Sequence, residues 1–285
     1  MTRCGAHPIL EFMPGEAPPS HGSPNLLVHL GGLGDVCLSE STLLSLRRHF
    51  GHTLRVVGNK RILDLFCDYF TGVDSIERRS HAYLFTEAVP APAWERIIFI
   101  GKDRSGAFRE RMARLAGEVI FIDLYPDGRR VHVEEYQLEQ LALQGIEPVK
   151  REVAVKTGRR VILYPERPYT KRKWPVERFL EIYGRLNALG VEVVLLGPPD
   201  LALSPLPAYA FENLSDIAAF FSMGAIFFSN DSGMAHFAAR CGLRPFTLFP
   251  DADPLVWHPK GARLLPCRET FPTVEEVTAF ILSGM

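Results

Sequence analysis

The segment GGLGDV combines three glycines with a carboxylate in a pattern that could bind an anion and move a proton. Gly31, Gly32 and Gly34, together with Asp35, lie between a short apolar run and the start of a helix predicted over residues 36–50. Small residues at such a position let a ligand or another backbone approach a helix N-terminus, whose N–H groups favour negative charge. Asp35 could therefore act as a general base, or it could only cap the helix.

The same glycines allow a second interpretation, that of a nicotinamide dinucleotide site. Gly32 and Gly34 supply the first half of the glycine fingerprint, but Cys37 stands where the third glycine is expected. An acidic residue is also expected about 20 residues further on, and Gly58-Asn59-Lys60 stand there instead. An NAD-linked Rossmann enzyme therefore stays an alternative that the residues support poorly.

The segment YTKRKWP places three consecutive cations before a predicted helix. Lys171, Arg172 and Lys173 follow the end of a strand, and Pro175 is suited to open the next helix. Fixed cations there could neutralise a departing diphosphate without a metal. The alternative is that the three side chains are solvated and that Trp174 packs beneath them.

The segment NDSGMAH also joins a predicted strand to a predicted helix. Asp231 or Ser232 could merely cap that helix, yet Ser232 and Gly233 would also present backbone N–H groups to an anion. His236 would lie on the first helical turn, within reach of the same ligand, although a histidine in this place is often structural.

The segment FPDADP contains two aspartates in DxD spacing, a pattern that holds a divalent ion in metal-dependent sugar transferases. Asp251 and Asp253 alone are too few ligands to establish a metal site. Their proline-flanked loop explains them equally well as turn formers.

The elements that must position these segments are short apolar strands alternating with helices, which predicts βαβ units around buried parallel sheets. The pattern runs from residue 25, and it restarts after residue 150. The predicted strands are 25–30, 54–57, 96–100, 119–122, 161–164, 191–196, 225–228 and 246–249. The predicted helices are 36–50, 61–69, 107–115, 133–143, 175–190, 217–221, 234–239 and 274–282.

The composition is that of a globular α/β protein of two domains. Among 285 residues, 32 Lys and Arg nearly balance 33 Asp and Glu, which argues against a nucleic-acid partner. We predict a loosely packed leader over 1–24 and domains over 25–150 and 151–285. The odd cysteine count without CxxC spacing is typical of a reducing, cytoplasmic location and predicts neither a disulfide framework nor a zinc site.

Taken together, these strings resemble glycosyltransferase family 9, the heptosyltransferase-like enzymes of lipopolysaccharide core assembly. The similarity runs over residues 25–285 and keeps the family order. The sequence departs from the family pattern at three places. Glu166 follows Pro165 where the family usually has glycine, and Arg172 and Lys173 stand in swapped order. Glu40 stands where the family usually has an apolar residue or proline. The strings are GGLGDVCLSESTLLSLRRHF, YPERPYTKRKWPVERFLEIYGRL, VEVVLLG, SNDSGMAHFAARCG and FPDADPLVW.

The resemblance implies a GT-B fold, with two Rossmann-like domains that face each other across a cleft. It implies inverting transfer of a heptose from ADP-heptose, which is a substrate, with no cofactor and no metal. The partners would be that nucleotide sugar, on the C-terminal domain, and a lipid-linked glycan acceptor at the inner membrane surface, on the N-terminal domain. A catalytically silent protein that binds a nucleotide sugar is the alternative.

The resemblance also assigns roles to residues. Asp35 matches the catalytic aspartate, and the glycine loop of Gly31, Gly32 and Gly34 would line the acceptor side of the cleft. The donor-binding residues would be Lys171, Arg172, Lys173, Asp231, Ser232, Gly233, Met234, His236 and Asp253.

Overall fold

The computed structural model describes residues 24–87, 94–166, 173–197, 208–267 and 270–285, and these form two parallel sheets with flanking helices. The strands are β1 (Asn25–His29), β2 (Leu54–Gly58), β3 (Gly72–Ser75), β4 (Trp94–Gly101), β5 (Ala116–Asp123), β6 (Val161–Tyr164), β7 (Val193–Leu196), β8 (Ala208–Tyr209), β9 (Ile226–Asn230), β10 (Arg244–Phe249) and β11 (Arg263–Pro266). The α-helices are α1 (Leu33–Leu38), α2 (Glu40–Phe50), α3 (Lys60–Leu63), α4 (Ala107–Ala113), α5 (Val133–Leu143), α6 (Val176–Ala188), α7 (Leu214–Phe220), α8 (Gly233–Arg240), α9 (Pro254–Trp257) and α10 (Val274–Leu282).

Both sheets have the strand order of a doubly wound nucleotide-binding fold. The first runs β3-β2-β1-β4-β5 and the second β11-β10-β9-β6-β7-β8, with every described strand pair parallel. The order reverses between β1 and β4 in one sheet and between β6 and β9 in the other. Ligands of such sheets bind beyond the carboxyl ends of the strands at these reversal points.

Each sheet has its own apolar core, because a parallel sheet covered on both faces needs apolar side chains on both sides of its strands. The core of the first sheet includes Leu26, Val28 and Phe99, all nearly inaccessible to solvent. The core of the second includes Phe179 on α6 and Phe228 on β9. These uninterrupted apolar runs are what identify the central strands in the sequence.

The contacts divide the described chain into two compact units. Unit 1 contains the first sheet, and unit 2 contains the second sheet together with two segments from earlier in the chain. Unit 2 comprises Gly32–Glu40, Pro126–Tyr136 and Lys150–Met285. The helix that carries Asp35 thus belongs to unit 2 by its contacts, and the predicted domain boundary near residue 150 stays a prediction.

The helix predicted over residues 36–50 is in fact two helices. α1 ends at Leu38 and α2 begins at Glu40, with Ser39 between them at φ −86° and ψ 0°. The Ser39 hydroxyl donates to the carbonyl oxygen of Asp35 at 2.8 Å. A serine bound in this way to the preceding turn bends or ends a helix. The segment predicted as a helix over 61–69 is likewise divided, into α3 and a 3₁₀ segment over Asp64–Tyr69.

Three strands that the sequence did not predict, β3, β8 and β11, lie at sheet edges.

Cys37, Cys241 and Cys267 are free thiols, whereas Cys67 takes part in a disulfide that the cysteine count did not predict. Within the described ranges, no helix is long and apolar enough to cross a bilayer.

Candidate active site

The site is built where the strand order of the second sheet reverses. β6 and β9 are neighbours there, with Tyr164 opposite Ser229, so the loops that follow both strands leave the same edge. These are the loops that begin at Pro165 and at Asp231, and each contains one of the segments singled out in the sequence. The two loops are more than 50 residues apart in the sequence, so it is the sheet topology that brings them together.

A buried amide joins the two loops. The Asn230 side-chain oxygen accepts the backbone N–H of Trp174 at 3.0 Å, and the Asn230 NH₂ donates to the Trp174 carbonyl at 3.5 Å. The Trp174 ring is 1% exposed and donates its indole N–H to the carbonyl of Pro272 at 3.1 Å. Trp174 is therefore a buried structural residue, and its placement relative to Lys171 and Arg172 stays a prediction.

Lys173 is held at this edge rather than solvated. Its ammonium group pairs with the Glu166 carboxylate and donates to the Asp231 carbonyl at 3.3 Å, and 14% of its side chain is exposed. Glu166 is the residue that departs from the family glycine, and it partly neutralises the lysine. Lys171 and Arg172 lie outside the described residues.

The Asp231 carboxyl is half-buried at the start of the loop after β9. Burial raises the pKa of this carboxyl to about 6, and the Glu166 carboxylate raises it further, while the Lys173 ammonium acts in the opposite direction. The Asp231 carboxyl therefore stays protonated over part of the pH range in which an ordinary aspartate is ionised. A group of this kind repels a bound phosphate less than an ordinary carboxylate would.

Replacing Asp231 by asparagine is expected to stabilise the protein at high pH and not at low pH. Because the folded-state pKa is raised above the ordinary 3.8, the stabilising contribution of the acid is complete below pH 3.8 and is lost as pH rises through about 6. The variant should gain at most about 3 kcal/mol over the wild type at pH 8 and little at pH 4. Urea unfolding at both pH values measures this gain, and an equal gain at both would contradict it.

Helix α8 presents its N-terminus at the same edge. The Ser232 hydroxyl accepts the N–H of Ala235 at 3.4 Å and so caps the helix, whereas Asp231 does not. The first N–H groups of any helix have no intrahelical acceptor. Those of Gly233 and Met234 stand at the helix start, where the sequence predicts an anion-binding feature, and that role stays a prediction.

Two glycines bring α1 against α8. A methyl group on Gly233 would lie 3.0 Å from the Gly34 nitrogen, and one on Gly34 would lie 3.2 Å from the Gly233 Cα. Contacts at such distances are tighter than most Cβ contacts in proteins, so a side chain at either position would push the facing helix back by a few tenths of an ångström. This contact sets the start of the helix that carries Asp35 beside the start of α8.

Asp35 occupies the first turn of α1 at the third helical position, and the helix is capped at Gly32. One oxygen of its carboxylate accepts the Gly32 N–H at 2.8 Å. The expectation that Asp35 itself could be the N-cap residue is thus wrong by three positions, although its side chain does bind the cap amide. The residue is half-buried, and it faces an open cavity.

This cavity, of about 380 Å³, joins most of the predicted residues in one place. Its volume falls in the usual range of small-molecule sites. Among the described residues, Lys173, Met234 and Asp253 do not line it, and Gly31 belongs to unit 1. The lining residues are Gly32, Leu33, Gly34, Asp35, Leu38, Asp231, Ser232, Gly233, His236, Ala252 and Trp257.

His236 lies behind the first turn of α8 and is 7% exposed. Burial lowers the pKa of its imidazole to about 3, and His132 and His258 lower it further. The ring is therefore neutral at physiological pH and offers no positive charge to a phosphate. A methyl group on Gly34 would lie 3.4 Å from the His236 ring, so the histidine also supports α1. Its predicted contact with a donor stays a prediction.

Asp253 caps a short helix beside the cavity. One oxygen accepts the Leu255 N–H at 3.0 Å, and the other accepts from the Arg130 guanidinium at 2.8 Å. Arg130 was not among the predicted residues, and no local motif marks it, because the pairing spans 123 positions. His132 was not among the predicted residues either, and no local motif marks it. Its ring lies 4.2 Å from that of His258. Among the described residues, no group of three metal-ligating side chains is assembled.

A model of one protein family matches residues 131–279, just over half of the chain. Its description is "Glycosyltransferase family 9 (heptosyltransferase)". The matched region contains the α8 segment and the Asp253 loop, while the Asp35 segment lies before it. No curated protein matches the sequence.

Several solved structures share the fold over most of their length. Escherichia coli heptosyltransferase WaaC, solved with ADP, is 15% identical with a TM-score of 0.66, over 92% of this chain and 100% of that one. The same enzyme has been solved with ADP-2-deoxy-2-fluoro heptose. E. coli ADP-heptose lps heptosyltransferase II is 17% identical with a TM-score of 0.63, over 91% and 99% of the two chains. A family 9 glycosyl transferase of Veillonella parvula is 15% identical with a TM-score of 0.64, over 91% and 92%. The predicted GT-B fold, with two parallel-sheet α/β domains, is confirmed.

Proposed function

Because the chain belongs to glycosyltransferase family 9, we propose that it moves a heptosyl group from ADP-heptose to a hydroxyl of a lipid-linked glycan. The transfer inverts the anomeric centre and uses neither a metal nor a cofactor. The acceptor is a lipopolysaccharide core or a related glycan, which the enzyme meets as a peripheral protein at the inner face of the membrane.

One observation carries this proposal. The Asp35 carboxylate and the N-terminus of α8 line the same open cavity, and the Gly34–Gly233 contact sets them side by side. An inverting transfer needs these two features together. The carboxylate accepts a proton from the incoming hydroxyl, and an electropositive group receives the negative charge of the leaving diphosphate.

The diphosphate of the donor would bind at the start of α8. The N–H groups of Gly233 and Met234 and the Ser232 hydroxyl supply hydrogen bonds there, and the helix dipole favours the anion. Lys173 would contribute positive charge from the neighbouring loop, together with Lys171 and Arg172. WaaC, which shares the fold, has been solved with ADP and with a fluorinated ADP-heptose, and this supports an ADP-linked donor.

The reaction is then a single displacement. The acceptor O–H gives its proton to Asp35 as its oxygen bonds to the anomeric carbon from the face opposite the diphosphate. The bond between that carbon and the diphosphate oxygen breaks, and the electron pair leaves with ADP. The carbon passes through an oxocarbenium-like state, as in glycoside hydrolysis.

The acceptor would be held by unit 1. An open cavity of about 800 Å³ lies at the carboxyl ends of β1, β2 and β3, where ligands of such sheets bind. Asn59, Lys60 and Ser75 are among its lining residues, and the Lys60 ammonium pairs with Asp64 at 2.6 Å. Such a lining suits the hydroxyl and acidic groups of a glycan.

A panel of ADP-, GDP-, UDP- and CMP-linked sugars, followed by a transfer assay in EDTA, tests the proposal. A ligand that binds the native state raises its melting temperature, and we expect ADP-heptose to give the largest rise and to support transfer without added metal. A larger rise with another nucleotide would overturn the donor assignment, and loss of transfer in EDTA would overturn metal independence. Binding without transfer or hydrolysis would identify a silent nucleotide-sugar-binding protein.

A further inference from the structure

We propose that Glu40 is a positioning residue for the reaction, because its buried carboxylate forms an ion triad with Arg151 and Arg240 that fixes the helix that carries Asp35. The inference rests on the proposed role of Asp35. It concerns a residue outside the catalytic cavity and a position where the sequence departs from the family pattern.

Glu40 is the buried member of the triad, and one of its carboxylate oxygens is shared by the two partly exposed arginines. Glu40 is 5% exposed, and the same carboxylate oxygen accepts from the Arg151 Nε at 2.9 Å and from the Arg240 Nε at 3.1 Å. Hydrogen bonds between ionised groups are about twice as strong as those between neutral ones. Removing the shared carboxylate would leave two guanidinium groups without the charge that compensates them.

The triad fastens the chain just after α1, at the first residue of α2, to the end of α8 opposite the glycine contact. Gly34 meets Gly233 where both helices begin, and Glu40, two residues after α1, meets Arg240 where α8 ends. The two contacts are separated by six residues along one segment and by seven along the other. The two segments therefore run side by side in the same direction and are fastened at both ends.

The triad also borders the catalytic cavity through shared walls. A small space of about 30 Å³, which is enough for a water molecule, is lined in part by Glu40, Arg151 and Arg240. Leu38 and His236 line this space and also line the catalytic cavity. A shift of Glu40 would therefore be transmitted to the catalytic cavity through Leu38 and His236, which line both spaces.

The third member of the triad comes from the segment that follows residue 149. Arg151 belongs to a basic stretch, residues 150–173, that contains nine Lys and Arg against two Glu, a charge excess that usually lies on a solvated surface. Its guanidinium is instead committed to Glu40, with 28% of the side chain exposed. The triad thus ties the first segment of unit 2, which ends at Glu40, to two distant positions of its last segment, Lys150–Met285.

The test compares Glu40→Gln and Glu40→Asp with Glu134→Gln as the matched control. Glu134 lines the same small space and pairs with Lys260 at 3.3 Å, but it lies on neither α1 nor α8. We expect Glu40→Gln to lower kcat by about 10- to 100-fold, since an error of about 1 Å in position has effects of this size. The Kd for ADP should change by less than about twofold, Glu40→Asp should recover part of kcat, and Glu134→Gln should resemble the wild type.

Hydrogen exchange of the unliganded protein supplies a readout that does not depend on activity. In Glu40→Gln, amides of α1 should exchange faster while those of β6 and β9 keep their protection. Unchanged exchange in α1 together with unchanged kcat would overturn the proposal. Uniformly faster exchange with weaker ADP binding would overturn it in favour of general stabilisation. If the wild type transfers no sugar, the proposed function fails, while the exchange comparison still decides whether Glu40 fixes α1.

Discussion

Replacing Asp35 by asparagine is expected to slow sugar transfer by about 100- to 10,000-fold while changing the Kd for ADP by less than about twofold. A general base of this kind typically contributes that much to a rate, and asparagine cannot take up the proton of the acceptor hydroxyl. The donor diphosphate would be bound elsewhere, at Ser232 and Gly233, so its affinity should persist. Initial rates with ADP-heptose and calorimetric titration with ADP measure the two effects.

Asparagine is the informative substitution because its side-chain oxygen can keep the 2.8 Å bond from the Gly32 N–H, which an alanine would lose. The control is Asp216→Asn, which makes the same change at the same third position of another helix, α7, far from the cavity in sequence. It should leave both rate and affinity unchanged. Wild-type rates in Asp35→Asn would remove Asp35 from the chemistry.

Replacing Gly233 by alanine is expected to weaken both the fold and the function. The added methyl group would lie 3.0 Å from the Gly34 nitrogen, and a backbone atom cannot turn aside as a side chain can. Forcing α1 away from α8 should cost about 1–3 kcal/mol of unfolding free energy. The same displacement moves Asp35 and should lower the transfer rate by about 100-fold. ADP binding should weaken as well, which separates this variant from Asp35→Asn.

Gly184→Ala is the matched control for this prediction. Gly184 lies within α6, and a methyl group there meets no atom within 4 Å. Alanine in the interior of a helix is more stable than glycine by about 0.5–1 kcal/mol, so the control should gain stability and keep its activity. If Gly233→Ala keeps both the stability and the rate of the wild type, the close contact does not position the catalytic helix.

The sequence was sufficient for the central strands and insufficient for the edges of the sheets. A strand such as β6 is covered on both faces, so its residues form a continuous apolar run that is recognised easily. β3, β8 and β11 are edge strands with shorter apolar runs, and none was predicted. The break at Ser39 was also missed, because the apolar spacing continues across it and only a hydrogen bond to Asp35 ends the helix.

The candidate site was predictable where a motif is local and unpredictable where two distant segments meet. Asp35, Ser232 and Gly233 each stand in a short pattern that joins a strand to a helix, and the structure brings them to one cavity. Arg130 and Arg151 stand in no such pattern. Their partners, Asp253 and Glu40, are more than 100 positions away, and only the folded chain shows the pairing.

A crystal structure with ADP-2-deoxy-2-fluoro heptose tests the central claim most directly. We predict that diphosphate oxygens lie within about 3.2 Å of the Gly233 or Met234 nitrogen. The Asp35 carboxylate should lie within about 6 Å of the anomeric carbon, on the side opposite the diphosphate, which leaves room for one acceptor hydroxyl between them. A diphosphate bound away from the start of α8, or an Asp35 carboxylate on the same side as the leaving group, would contradict the account.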